Sequence, residues 1–375
     1  MYRKLLVALL LAIFASHLVS AQQSSQAWWY TLEEGKFLLR SGAYGDAFTA
    51  FENARRARQT QFTRMEQDFI RVLSIPDVRR LGDSLDFVER YIDARGETSA
   101  ASALAYLYHH TPRSSFGGSA SRALSGFDRL KSFPEAEYWL GETYRAEGEL
   151  AMSLRHYERA LAERELLQTP NFDVEILYRM TDVHRVRQEY QEMERRAIEV
   201  ITGTNASGAL RDELWVRGTI RPAMARLLEN EGIHRFLSLY RYNNTLTERA
   251  HRLLGFYYHA TNRLIPAVDH LTFAFLIQNT ILIEDILRRD NDFTFTTLED
   301  LIERVMLIPA LAELTGDLEY FRTVFYFSSA LYATGKTTPA MQLWTFLAET
   351  PHSGIWGQRA RRNPIPYLES PLEMP

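Results

Sequence analysis

The stretch GAYGDAFTAFENARRA, Gly42 to Ala57, decides the fold. Two small residues, Ala47 and Ala54, bracket Phe51 just after a Gly-x-Tyr turn. Residues at that spacing share one face of a helix. Alanines there let a second helix come close, and the ring between them fills the gap that remains. With Gly42 as position 15 of a unit, Tyr44 is 17, Ala47 is 20, Phe51 is 24 and Ala54 is 27. Counting back, Leu38 is 11 and Gly35 is 8.

The frame recurs. In PEAEYWLGETYRAEGELAMSLRHYERAL, Leu140 and Gly141 take 7 and 8, Tyr144 takes 11, Gly148 takes 15, Ser153 takes 20, Tyr157 takes 24 and Ala160 takes 27. In ERAHRLLGFYYHATNRLIPAVDHLTFAF, Leu254, Gly255, Tyr258, Ala267, Leu271 and Ala274 take 7, 8, 11, 20, 24 and 27. Near the end, Gly335, Ala340, Trp344 and Leu347 take 15, 20, 24 and 27. Weaker copies lie between. One has Leu177 at 4, Tyr190 at 17, Ala197 at 24 and Val200 at 27. Another pairs TSAASALAYLYHH with SASRALSGFDRL, placing Ala123, Phe127 and Leu130 at 20, 24 and 27. A third, RPAMARLLENEGIHRFLSLY, turns at Gly232.

This pattern resembles the tetratricopeptide repeat, a helix–turn–helix unit of roughly 34 residues. The resemblance implies an all-α fold, a right-handed superhelical stack of antiparallel helix pairs, or α-solenoid, over residues 22–350. The clearest units are expected near 28–61, 134–167, 248–281 and 321–350. A single pair cannot bury its apolar faces alone, so neighbours must stack. Pro364, Pro366, Pro371 and Pro375 mark residues 351–375 as a tail that does not continue the helices. ILRRDNDFTFT closes a long helix, and Thr296 or Thr297 is expected to cap the next, LEDLIERV.

In such repeats the first helix of each unit lines a concave groove through positions 2, 5, 9, 12 and 13. The resemblance therefore implies Trp29, Leu32, Lys36 and Arg40 in the first unit as partner-binding candidates. In the second clear unit they are Glu135, Tyr138, Glu142 and Arg145. Arg249, Arg252, Phe256 and His259 follow in the third, and Arg322, Phe325 and Tyr332 in the last. Arginine and aromatic residues dominate interface hot spots, which suits recognition of a protein or peptide. The Lys and Asn set with which some members hold a chaperone's acidic tail is absent: Lys36 stands at 9 without Asn partners.

Composition narrows the setting. The chain has 375 residues, a formal net charge of −4 and no cysteine. An acidic balance speaks against a nucleic-acid binder. Lack of cysteine excludes thiolate metal sites and Cys nucleophiles and is compatible with an oxidising compartment. MYRK followed by LLVALLLAIFASHLV and Val19-Ser20-Ala21 reads as a signal peptide, residues 1–21, cleaved after Ala21. Its apolar run of about 15 residues falls short of the ~20 of a membrane span. No later segment reads as one.

Catalytic signatures are missing: no HExxH, P-loop, GxGxxG or GxSxG. The Gly and Ser of SSFGGSAS precede a helix, but an ordinary loop and cap account for them. His109 and His110 point apart, and His251 and His259 lack a third ligand at helical spacing. Exported helical transglycosylases add a compact catalytic domain, which the repeat-like C-terminal third lacks. The expectation is a non-enzymatic interaction scaffold of a bacterial periplasm or cell envelope, with no cofactor or metal and a protein or peptide partner. The alternatives are a periplasmic small-ligand-binding protein serving a transport system and, more distantly, an envelope enzyme.

Overall fold

The computed structural model describes residues 27–74, 128–203, 237, 241 and 243–362. They belong to two compact units, divided between Pro170 and Asn171. Among the described residues all regular structure is helical.

In the first unit, α1 (Trp28–Arg40) pairs with α2 (Tyr44–Ser74), and α3 (Pro134–Ala146) pairs with α4 (Leu150–Ala162). The second helix of the first pair packs on the first helix of the next. Ala47, Phe51 and Ala54 of α2 meet Ala136 and Leu140 of α3 there, with Leu32 and Phe133 completing the core. The second unit repeats the scheme. The pairs are α5 (Phe172–Val186) with α6 (Tyr190–Gly203), α7 (Thr245–Ala260) with α8 (Leu264–Arg289), and α11 (Tyr320–Ala333) with α12 (Thr337–Glu349). Helix α6 packs on α7, and α8 on α11. Two short helices, α9 (Leu298–Met306) and α10 (Pro309–Asp317), intervene between α8 and α11. Thr297 caps α9 in a capping box with Asp300, as expected.

Position 15 has one backbone conformation in all five pairs. Gly42, Gly148 and Gly335 have φ near +80°, and Gln188 and Asn262 stand at +61° and +58°. The same two hydrogen bonds close each first helix. In the first pair the N–H of Gly42 donates to Leu39 and that of Ala43 to Leu38; in the third, Gln188 donates to Arg185 and Glu189 to His184. This left-handed C-terminal cap satisfies carbonyls that the helix end would otherwise leave open.

Positions 8 and 24 meet across the first, second and fourth pairs. A Cβ on Gly141 would stand 2.6 Å from Tyr157 Cε1, and one on Gly255 2.6 Å from Leu271 Cγ. Ala47, Ser153, Ala267 and Ala340 at position 20 are buried, as are Ala54, Ala160, Ala274 and Leu347 at 27. In the weaker third pair the sizes exchange: Thr181 takes position 8 and Ala197 position 24, both buried.

Three expectations need correction. Helix α2 runs past residue 61 to Ser74. Its continuation is stapled to the chain entering α3: Arg58 lies between the rings of Trp28 and Phe133, 4.9 and 4.6 Å from their centres, and donates to the Leu130 carbonyl. Lys131 Nζ reaches Glu66 at 2.7 Å. Helix α8 ends at Arg289, within ILRR as expected, and Ile281, Leu282, Ile283 and Ile286 extend its buried face. That helix is also long and apolar enough to cross a membrane, but 83% of its most apolar window is buried inside the protein. It is a core helix. Finally, the tail contains a helix, α13 (Gly354–Arg362), ahead of its prolines. Trp356 stacks on Phe325 and Tyr326, and Gly357 and Ala360 are buried, so α13 packs on α12 and α11. The signal-like segment and its cleavage site, the loop Thr111–Ser119 and its flanking helices up to Phe127, the pair turning at Gly232 (Leu237 apart) and residues 363–375 lie outside the described residues.

Candidate partner-binding face

The groove candidates fall into two groups once packing is known. In the first unit Trp29 is exposed, and Arg40 is exposed at the end of α1. Lys36 pairs with Glu33 at 2.6 Å and sits 5.3 Å over the Trp139 ring. Leu32, Glu135, Tyr138 and Glu142, by contrast, are buried. Glu135 accepts the N–H of Gln168 at 2.7 Å. Tyr138 stands 5.0 Å from Trp139 and 5.8 Å from Tyr157, ring centre to ring centre. Glu142 accepts from the Tyr157 hydroxyl and from Arg145, leaving Arg145 partly exposed. Burial, together with Glu142, pushes the Tyr157 hydroxyl far up. These acids and rings cement the stack rather than line an open groove.

The sequence missed Glu137, at position 4. It binds Arg55 at 2.7 Å and His156 at 2.8 Å. Burial alone would raise its pKa, but the hydrogen bonds from His156 and Arg55 outweigh that and hold it low. Its only sequence signal is an acid in a register otherwise buried.

In the second unit the candidates on α7 and α11 do come together. Arg252 Nε pairs with Glu248 at 2.9 Å, and its other end reaches Glu319. Arg322 pairs with Glu319 at 2.6 Å and lies 4.6 Å over Phe256. Phe256 meets Tyr326 edge to face, and Phe325 packs on Trp356. His259 Nε2 lies 2.9 Å from Ser329 Oγ. Burial without a counter-charge lowers the His259 pKa to about 4, so the ring is neutral at pH 7. Tyr332 stacks against Trp344 of its own pair. Beneath them Gln278 Nε2 donates to Glu248 Oε1 at 2.7 Å and to the Leu318 carbonyl at 2.8 Å. Burial raises the Glu248 pKa, against the pull of Arg252.

Phe256, Phe325 and most of Arg252 are thus interior, which corrects their placement in an open groove. Electrostatic pairing removes more: Arg252 and Arg322 are neutralised by Glu248 and Glu319. Arg249 remains. It lies 5.7 Å over the Tyr178 ring of α5 and has no carboxylate partner among the described residues. Nearby positions of α5 carry Asp182 and Arg185, joined at 2.8 Å and partly exposed. The surface left for a partner is therefore Tyr178, Arg185 and Arg249, with partly exposed Arg322 and Tyr332 on α11. Among the described residues no three His, Cys, Asp or Glu are grouped to hold a metal.

The chain matches no family model. It is similar to an uncharacterized protein of Treponema pallidum (strain Nichols), with 25% identity over 333 residues, covering 88% of each chain.

Proposed function

We propose that the chain is a tetratricopeptide-like repeat protein of the bacterial periplasm or cell envelope, with the right-handed superhelix that such membership implies. It acts as a non-enzymatic scaffold that holds a protein or peptide partner on first-helix faces. One observation carries this reading. Tyr178, Arg249 and Arg322, from three first helices, form a face on which Arg249 has no ion-pair partner among the described residues. Aromatic and arginine side chains held by their neighbours lose little freedom on binding. The recurring left-handed turn and the contact of positions 8 and 24 support the repeat assignment. The basic, apolar, small-residue start supports export.

A photo-activatable residue placed at Arg185 or Arg249 in the native host tests the reading. The expected result is a discrete covalent adduct from these sites and none from Arg195, exposed on the second helix α6. Equal labelling from all three sites, or none, would refute a first-helix binding face.

A further inference from the structure

Positions 3, 7 and 10 of a first helix face the preceding pair. Ala136 and Leu140 of α3 pack on α2, Tyr257 of α7 stacks on Tyr190 of α6, and Thr323 of α11 accepts a hydrogen bond from Gln278 of α8. All three positions are buried in α3, α7 and α11. In α1 they are Tyr30, Glu34 and Phe37. Tyr30 is 51% and Phe37 69% exposed, and Glu34 is exposed without a cation partner among the described residues. Trp29, 57% exposed, adjoins Tyr30. A terminal repeat ordinarily turns a polar face outward. This one presents two rings and an unpaired carboxylate on the face where its counterparts receive a helix.

The last described helix carries the complementary chemistry. Helix α13 packs chiefly on α12 and also touches α11. It carries exposed Ile355, Arg359, Arg361 and Arg362; Arg359 lies 4.9 Å over the Trp356 ring, and Arg361 donates to the Ala348 carbonyl of α12. Residues 350–362 contain no acid, and none of the three arginines has a carboxylate partner among the described residues. The chain repeatedly joins arginine to aromatic rings: Arg58 to Trp28 and Phe133, Arg263 to Tyr258, Arg322 to Phe256. A desolvated contact of this kind is among the stronger polar attractions at an interface.

We infer that the outer face of α1 receives the α13 end of a second copy of this chain, joining copies head to tail. Tyr30 and Phe37 take the arginines and Ile355, and Glu34 supplies the counter-charge. A symmetric α1–α1 pairing is disfavoured, because it would set Glu34 near its own copy. A heterologous contact closes into a ring or extends as a filament, according to the rotation between copies.

Two full-length variants test this by sedimentation velocity over a wide concentration range. One carries Y30A and F37A; the other carries R359A, R361A and R362A. All five side chains are exposed, so both should keep their helical signal; should the first lose it, F37D alone replaces it. The wild type should self-associate with rising concentration, and each variant alone should be weakened at least about tenfold, since several contacts are lost together. Mixed, the two should form a complex of one copy each that grows no further, because each supplies the end the other lacks. A wild type monomeric at every concentration overturns the inference. So does an arginine variant that still dimerises alone, which would indicate α1–α1 pairing, or a mixture that stays monomeric.

Discussion

Gly35 lies against the ring of Phe51 so closely that a methyl group on it would stand 2.5 Å from Phe51 Cε1 and 2.7 Å from Cδ1. A buried ring with close neighbours has no room to retreat. Gly35→Ala should therefore cost about 1–3 kcal/mol, the usual penalty of overpacking. Ten residues on, Gly45 has nothing within 4 Å of an added Cβ and sits in α2. Gly45→Ala should instead gain about 0.4–1 kcal/mol by restricting the unfolded chain. Urea denaturation of the two variants reads both signs; a neutral Gly35→Ala would refute close packing at position 8.

The turn residues offer a second test. Gln188 holds the left-handed conformation that Gly42, Gly148 and Gly335 adopt without a side chain. A non-glycine residue gives up about 1–2 kcal/mol there, and asparagine less. Gln188→Gly should raise stability by about 1 kcal/mol, and Asn262→Gly by less. A loss of stability at Gln188 would mean that its side chain holds the turn by other means.

Arg249 and Arg252 stand on neighbouring turns of α7 but differ in what they hold. Removing Arg252 would leave Glu248, fully enclosed, without its guanidinium. Breaking a buried pair from one side costs about 3–5 kcal/mol. Arg249→Ala breaks no ion pair among the described residues and should stay within about 0.5 kcal/mol. Thermal melts should therefore show Arg252→Ala strongly destabilised and Arg249→Ala almost unchanged.

His259 makes stability depend on acidity. Its folded pKa is near 4, below the ordinary 6.5, because the ring is buried. Between those values the unfolded chain binds a proton that the folded protein does not, so stability falls as the pH drops from 6.5 towards 4. The slope is at most about 1.4 kcal/mol per pH unit. Glu248, pushed up by burial, acts oppositely: its contribution is present below the ordinary carboxylate range and fades as pH rises. Glu137 and Glu319, held low, contribute above that range and lose it under stronger acid. Comparison with His259→Gln isolates the imidazole. The stability advantage of the parent over the variant should shrink from pH 7 to pH 4.5, and a constant advantage would mean that the buried ring is not held neutral.

The pairing of helices was legible because it is local. Gly141 and Tyr157, or Gly255 and Leu271, lie within one unit, and their sizes and spacing report their contact directly. The Thr297 cap was legible for the same reason. Which first-helix side chains face solvent was not. Phe256 is covered by Arg322 and Tyr326, both far along the chain, and Phe325 by Trp356 of a helix that the following prolines obscured. Charge told equally little: Arg249 and Arg252 are alike in sequence, and only Glu248 and Glu319 separate a solvated cation from a buried one.

The staple formed by Arg58 with Leu130 and by Lys131 with Glu66 ties two points of the chain that are distant in sequence but adjoin in space. Arg58 and Glu66 of α2 thereby adjoin the chain that enters α3 at Leu130 and Lys131. The contact of α2 with α3 is therefore clamped from outside its apolar core, by one cation from each side. Severing that clamp with Arg58→Ala and Lys131→Ala would leave the two helix pairs of this unit held mainly by the buried core of Ala47, Phe51, Ala54, Ala136 and Leu140.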